Sequence, residues 1–179
     1  MLRRFRRPDT SAIAARSLYD AVVARAREPV FHTKFAVPDT IDGRFDLLTL
    51  HAFVPMEALK SAGPAGAKLG TALASVIFSG FDDALRELGV GDMGISRRMK
   101  AMASAFYGRL QVYGEADSQA GLTEAILRNV YRGEESRSRE AASLAHYIGD
   151  ARQTLLAQAG ALLQCGCDFG PLPQIEVQL

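Results

Sequence analysis

Apolar residues recur every three or four positions along most of this chain, and this spacing strongly constrains its fold. Such spacing places side chains on one face of an α-helix, whereas strands alternate with a period of two. The clearest run, in the segment 94–113, has intervals of four, three, four and four: Ile95, Met99, Met102, Phe106 and Leu110. Outside the C-terminal stretch QIEVQL, alternating patterns are nearly absent. The chain is therefore predicted to be an all-α, single-domain bundle of about six helices.

The predicted helices begin and end at residues that favour helix termini. They cover about 10–28, 44–62, 65–88, 94–113, 118–131 and 138–164. Pro29 ends the first, Gly63 begins the break after the second, and Gly89 occupies the C-terminal cap position of the third. Pro55 is expected to kink or end the first half of the second helix, because proline lacks the N–H that helices need. The segment 28–43 is predicted to be a long ordered loop or a short extended piece.

The chain divides into a basic N-terminal arm (1–9), a helical domain (10–164) and an extended C-terminal tail (165–179). Its 179 residues fit one domain, and its net charge of +1 gives no global field for nonspecific nucleic-acid binding. We predict no specific DNA binding. The only cysteines, Cys165 and Cys167, form a C-x-C pair that fits a reducing compartment and is interpreted as part of a turn.

No catalytic, cofactor or metal motif is found. GVGDMG (89–94) follows a predicted helix and lacks the Lys-Ser or Lys-Thr of a phosphate loop, so it is interpreted as a helix corner. In this corner Gly89 caps one helix, Gly91 turns the chain and Asp92 caps the next helix. The histidines are scattered without metal-ligand spacing, and His51 is interpreted as a core residue with satisfied hydrogen bonds. We therefore predict no enzyme activity and no cofactor.

The helix after this corner combines methionines with arginines. The methionine stripe fits a helix face buried in the core. It also fits an apolar surface that holds another protein, because methionine side chains are soft and adaptable. At 100° per residue, Arg98 and Arg109 lie along one edge of the apolar stripe, whereas Arg97 and Lys100 lie opposite it. The predicted client-binding residues are Met93, Arg98, Met99, Met102, Phe106 and Arg109.

The N-terminal stretch MLRRFRRP lacks the apolar segment of a secretory signal. Its arginines are predicted to bind an anionic membrane surface: Arg3, Arg4, Arg6 and Arg7. Each basic residue contributes about 1 kcal/mol to such binding. In an alternative function, the same arm and the helix 94–113 bind RNA or the ribosome.

Two long stretches identify a family. DGRFDLLTLHAF (42–53) and LRELGVGDMGISRRMKAMASAFYGR (85–109) resemble the ubiquinol–cytochrome c chaperone family, and the resemblance covers about residues 15–132. It implies an assembly factor that binds newly made cytochrome b and assists assembly of the ubiquinol–cytochrome c reductase (respiratory complex III). It further implies contact with the ribosome near the membrane. The expected location is the cytoplasmic face of the bacterial inner membrane, or the mitochondrial matrix side in a eukaryote.

Overall fold

The computed structural model describes residues 10–163 and 167–174, and within them it contains helices and no strand. The α-helices are α1 (Thr10–Ala26), α2 (Val30–Thr33), α3 (Ile41–Ser61), α4 (Gly63–Glu87), α5 (Asp92–Glu115), α6 (Gln119–Val130) and α7 (Ser138–Ala157). Two short 3-10 helices cover Glu135–Arg137 and Ala161–Leu163. The all-α prediction is confirmed. The one-turn helix α2 lies where a loop or extended piece was predicted.

Helix α3 is the centre of the bundle. It packs against α1, α4, α5, α6 and α7, while α5 also contacts α4 and α6. Twelve of its 21 residues are buried, as its apolar sequence predicts. The helix continues through the buried Pro55, so of the two predicted outcomes, a kink or an end, the end is wrong. Packing on several sides outweighs the local cost of proline, about 3 kcal/mol.

The start of α3 is fixed by its own sequence. The Thr40 side chain caps the helix by accepting a hydrogen bond from the Gly43 N–H at 3.1 Å. A Cβ on Gly43 would lie only 2.0 Å from the Pro38 carbonyl oxygen, so the close chain approach requires glycine here. Arg44 donates to Asp39 at 2.7 Å. The helix consequently begins three residues earlier than predicted.

His51 is a fully buried residue of α3, as the sequence analysis interpreted it. Its Nδ1 lies 2.7 Å from the Leu47 carbonyl oxygen, which can only accept, so Nδ1 carries the proton. Its Nε2 then accepts from the Tyr147 hydroxyl at 3.2 Å. Burial lowers the pKa of His51 to about 4, because the charged imidazolium would lose its hydration.

This lowered pKa predicts a loss of stability in acid. As pH falls from about 6.5 towards 4, the unfolded chain binds a proton at His51 that the folded chain refuses. The free energy of unfolding should therefore fall by about 3 kcal/mol through this group. Chemical denaturation at a series of pH values measures the effect.

His51→Gln should remove this loss of unfolding free energy in acid. His146→Gln, which replaces an exposed histidine, should keep it. If wild type and His51→Gln lose stability in parallel between pH 7 and pH 4, the assignment to His51 is wrong.

Part of the C-terminal tail docks on the bundle. Phe169 is buried with its ring centroid 5.6 Å from that of His51, and Arg25 of α1 donates to the Gly170 carbonyl oxygen at 2.7 Å. Burial raises the pKa of the nearby Cys167 to about 12, so its thiol stays protonated at neutral pH. Cys165 and the N-terminal arm with Arg3, Arg4, Arg6 and Arg7 lie outside the described residues.

Candidate client-binding groove

The glycine corner between α4 and α5 is a helix C-cap of the Schellman type. Gly89 has φ +74°, which favours glycine. The Val90 N–H donates to the Leu85 carbonyl at 3.1 Å, and the Gly89 N–H donates to the Arg86 carbonyl at 2.9 Å. The predicted cap at Gly89 therefore has the expected geometry.

Asp92 does not have its predicted role in this corner. The N-cap of α5 is Gly91, which offers no side-chain hydrogen bond, and Asp92 is the first residue of the helix. The Asp92 carboxylate instead accepts from Arg86 at 3.0 Å, and Arg86 also binds Asp82 at 2.7 Å. These exposed contacts connect the end of α4 to the start of α5.

Beyond the corner, α5 forms one wall of a surface groove of about 610 Å³. The start of α3 and the end of α6 supply the other walls, and one side chain comes from α4. The lining residues are Ile41, Asp42, Phe45, Leu85, Arg98, Ala101, Met102, Ala105, Arg109, Arg128, Asn129 and Arg132. The groove thus combines apolar side chains with four arginines.

Three of the six predicted site residues line this groove. Arg98 is exposed, Met102 is half-buried, and Arg109 is largely covered. With Ala101 and Ala105 they occupy positions i, i+3, i+4, i+7 and i+11 of α5, which form one stripe along a helix. The predicted helix and the predicted arginines therefore lie at the groove.

The other three predicted residues lie elsewhere. Phe106 is fully buried, with its ring centroid 5.5 Å from that of Phe78, and Met99 packs partly buried against the core. Both lie about 80–100° around α5 from the centre of the groove stripe, since each residue turns the helix by about 100°. Met93 is 93% exposed at the helix start and outside the groove. These three residues do not line the groove, and their role in binding a client stays a prediction.

A buried carboxylate lies beneath the groove. Asp46 of α3 is fully buried, and its two oxygens lie 2.8 Å from Arg109 of α5 and 2.8 Å from Arg132 just after α6. The Arg109 guanidinium also lies 5.1 Å from the centroid of the Phe45 ring. One aspartate therefore joins the three elements that form the groove walls.

Arg132 reaches Asp46 from an unusual backbone conformation. Its φ is +57°, and the following Gly133 has φ +79°. A left-handed conformation costs a non-glycine residue roughly 1–2 kcal/mol. The guanidinium also donates to the Asn129 carbonyl oxygen. The contact with the buried carboxylate is part of what holds Arg132 in this conformation.

Burial and the neighbouring arginines shift the pKa of the Asp46 carboxyl in opposite directions. Burial raises the pKa of the Asp46 carboxyl, and the charges of Arg109 and Arg132 lower it only in part. A net rise means that desolvation costs the carboxylate more free energy than the two arginines return. The buried pair is therefore no more stabilising than apolar packing would be, but removing only one of its partners would leave a charge buried and unpaired.

Asp46 and Arg132 were missed by sequence reasoning. The signal for Asp46 was a single carboxylate inside the apolar stretch FDLLTLHAF (45–53), where a charge must find a partner. No such signal marks Arg132, because the sequence does not say which arginine meets that carboxylate.

Within residues 10–163 and 167–174, none of the helices combines the length and the hydrophobicity of a transmembrane segment. No group of three or more His, Cys, Asp or Glu side chains among these residues could hold a metal ion.

Comparison with known proteins identifies the family. The sequence model of the ubiquinol–cytochrome C chaperone family matches residues 33–166. This chain belongs to that family. The match contains every residue that lines the groove, as well as Asp46. The resemblance inferred from the sequence is confirmed.

Two individual proteins that resemble this chain agree with this assignment. The chain is 23% identical over 138 residues to ubiquinol-cytochrome-c reductase complex assembly factor 1 of Xenopus laevis, covering 76% of this chain and 69% of that protein. It is also similar to the crystal structure of the Cbp3 homolog from Brucella abortus. In that comparison the TM-score is 0.77 with 33% identity, over 91% of this chain and 93% of the other.

Proposed function

We propose that this protein is an assembly chaperone of the ubiquinol–cytochrome c reductase and that it holds newly made cytochrome b in the groove beside α5. The main support for this proposal is the groove, which offers an apolar surface with charged residues around it. All of its lining residues lie within the range that the family model matches. The Xenopus laevis relative, named as an assembly factor of the same reductase complex, supports the choice of complex. The proposal includes no catalytic step.

The groove has the physical properties that a transient client needs. Its volume, about 610 Å³, suits the side chains of one face of a helix, and helix-in-groove binding requires few directed hydrogen bonds. Met102 can change its packing at low cost, which suits a client that must later leave. The Asp46 ion pairs hold the groove walls in place before the client arrives.

Affinity capture tests this function. Membranes are taken from cells that are synthesising cytochrome b and are solubilised in detergent. The tagged full chain is incubated with this extract, and the proteins captured with it are identified by mass spectrometry. We expect cytochrome b to be enriched over other membrane proteins of similar hydrophobicity. Recovery of cytochrome b at the level of those unrelated proteins would contradict the proposal.

We also propose that the protein works from the cytoplasm at the inner membrane surface, or from the matrix side in a mitochondrion, and is held there by its N-terminal arginines. Four arginines would give about 4 kcal/mol of attraction to an anionic leaflet, before the cost of ordering the arm. Such attachment is weak, reversible and sensitive to salt.

Deletion of residues 2–7 is therefore expected to abolish binding to phosphatidylglycerol-containing vesicles at low salt. Vesicle sedimentation of the full chain and the truncated chain measures the difference, with neutral phosphatidylcholine vesicles as the control. Equal sedimentation of both chains with anionic vesicles would show that the arm is not the anchor. A salt-titrated RNA-binding assay on the same pair tests the alternative of ribosome or RNA binding.

A further inference from the structure

The four arginines that line the groove differ in how their charges are neutralised. Arg109 and Arg132 share the buried Asp46, and Arg128 pairs with an exposed glutamate one turn away in α6 at 2.6 Å. Arg98 is exposed and has no ion-pair partner among residues 10–163 and 167–174. Arg98, at the start of the α5 wall, is therefore the groove arginine whose guanidinium has no carboxylate partner among the described residues.

Arg98 is placed to act together with an apolar contact. It lies one helical turn before Met102 in α5, and both side chains face the groove. Residues four apart on a helix have their Cβ atoms about 5–6 Å apart. A helical partner with an acidic and an apolar residue one turn apart would match this pair of side chains.

We infer that the groove selects a client segment that carries a carboxylate one helical turn from an apolar residue, with Arg98 as the residue that determines this specificity. The inference rests on the proposed function, because it concerns the client of the same groove. A guanidinium binds a carboxylate with two parallel hydrogen bonds, and charge complementarity favours correct partners over wrong ones.

Charge on the opposite wall favours a protein segment over an anionic lipid. Asp42 lines the groove at the start of α3, is exposed, and brings a negative charge. A phosphate-bearing lipid such as phosphatidylglycerol carries only negative charge and has no group that would complement Asp42. A polypeptide can instead bring a carboxylate to Arg98 and a neutral or basic residue to Asp42.

Charge reversal on both partners tests the inference. The probes are three labelled amphipathic helical peptides that differ at a single position. That position holds a glutamate, a glutamine or a lysine, and in every peptide a leucine lies one helical turn away from it. Binding to the full-length wild type, Arg98→Glu and Arg97→Glu is measured by fluorescence anisotropy. Arg97→Glu is the matched control because it makes the same charge change on the same helix, outside the groove lining.

We expect the wild type to bind the glutamate peptide about threefold more tightly than the glutamine peptide, in the range of exposed ion pairs. Arg98→Glu should reverse the order and prefer the lysine peptide, whereas Arg97→Glu should behave like the wild type. Arg98→Glu should also capture less cytochrome b than Arg97→Glu. Higher salt should reduce all of these differences.

Equal binding of the three peptides by the wild type, or equal behaviour of Arg98→Glu and Arg97→Glu, would overturn the inference. The inference would also be overturned, in favour of a lipid ligand, by the following result. Phosphatidylglycerol vesicles displace the peptides from the wild type but not from Arg98→Glu, and the three peptides bind equally well. If the wild type captures cytochrome b but shows no charge preference, the inference fails and the proposed function stands. If the charge preference holds but cytochrome b is not captured, the inference stands and the choice of client fails.

Discussion

Replacement of Asp46 by alanine is expected to lower the free energy of unfolding by about 3–5 kcal/mol. The aspartate is fully buried and contacts Arg109 and Arg132, and the Arg109 side chain is itself only 15% exposed. Its removal would leave a covered guanidinium without a counter-charge and would release the strained Arg132. For a chain of this length, the loss corresponds to a fall in Tm of about 10 °C.

Thermal unfolding followed by circular dichroism measures this change. Asp42→Ala is the matched control, because Asp42 lies on the same helix four residues earlier and is exposed. The control should lose less than about 1 kcal/mol. A similar, small loss in both variants would mean that the buried carboxylate does not hold the three elements together.

Filling the groove should have the largest effect on binding. Ala101 lines the groove and is exposed, so Ala101→Trp would place a large ring where the client is proposed to lie without disturbing the core. We expect capture of cytochrome b to fall at least about tenfold, which corresponds to about 1.4 kcal/mol of binding free energy. The Tm should change little because the substitution lies at the surface.

Ser104→Trp is the matched control for this experiment. Ser104 is exposed on the same helix three residues further on, and it does not line the groove. Cytochrome b capture by Ser104→Trp should equal that of the wild type in a quantitative pulldown. If Ala101→Trp captures as much as Ser104→Trp, the client does not occupy the groove.

Much of the fold could be predicted because its signals are local. Helical spacing predicted the long helices, and Gly89 marked the end of α4 through a conformation that glycine favours. The errors arose where contacts between helices outweigh local preference. Pro55 remains inside α3 because the bundle surrounds it, and Asp92 pairs with Arg86 of the preceding helix instead of capping its own.

The candidate site could be predicted in part, namely its helix and the three lining residues Arg98, Met102 and Arg109. The spacing of α5 placed Met99, Met102 and Phe106 on one stripe, but α4 and the core cover the side with Phe106 and leave Met102 at the groove. Which residues of the stripe are buried and which face the groove depends on how the neighbouring helices pack. For the same reason the Asp46–Arg132 contact could not be predicted, since the two residues are far apart in sequence.

We propose that newly made cytochrome b lies in the groove beside α5. A photo-crosslinking amino acid at position 101 of the full-length protein, activated in cells that are synthesising cytochrome b, tests it most directly. The same amino acid at position 104 is the control. We predict a crosslink to cytochrome b from position 101 and little or none from position 104. Equal crosslinking from both positions, or crosslinking from position 104 alone, would contradict the claim.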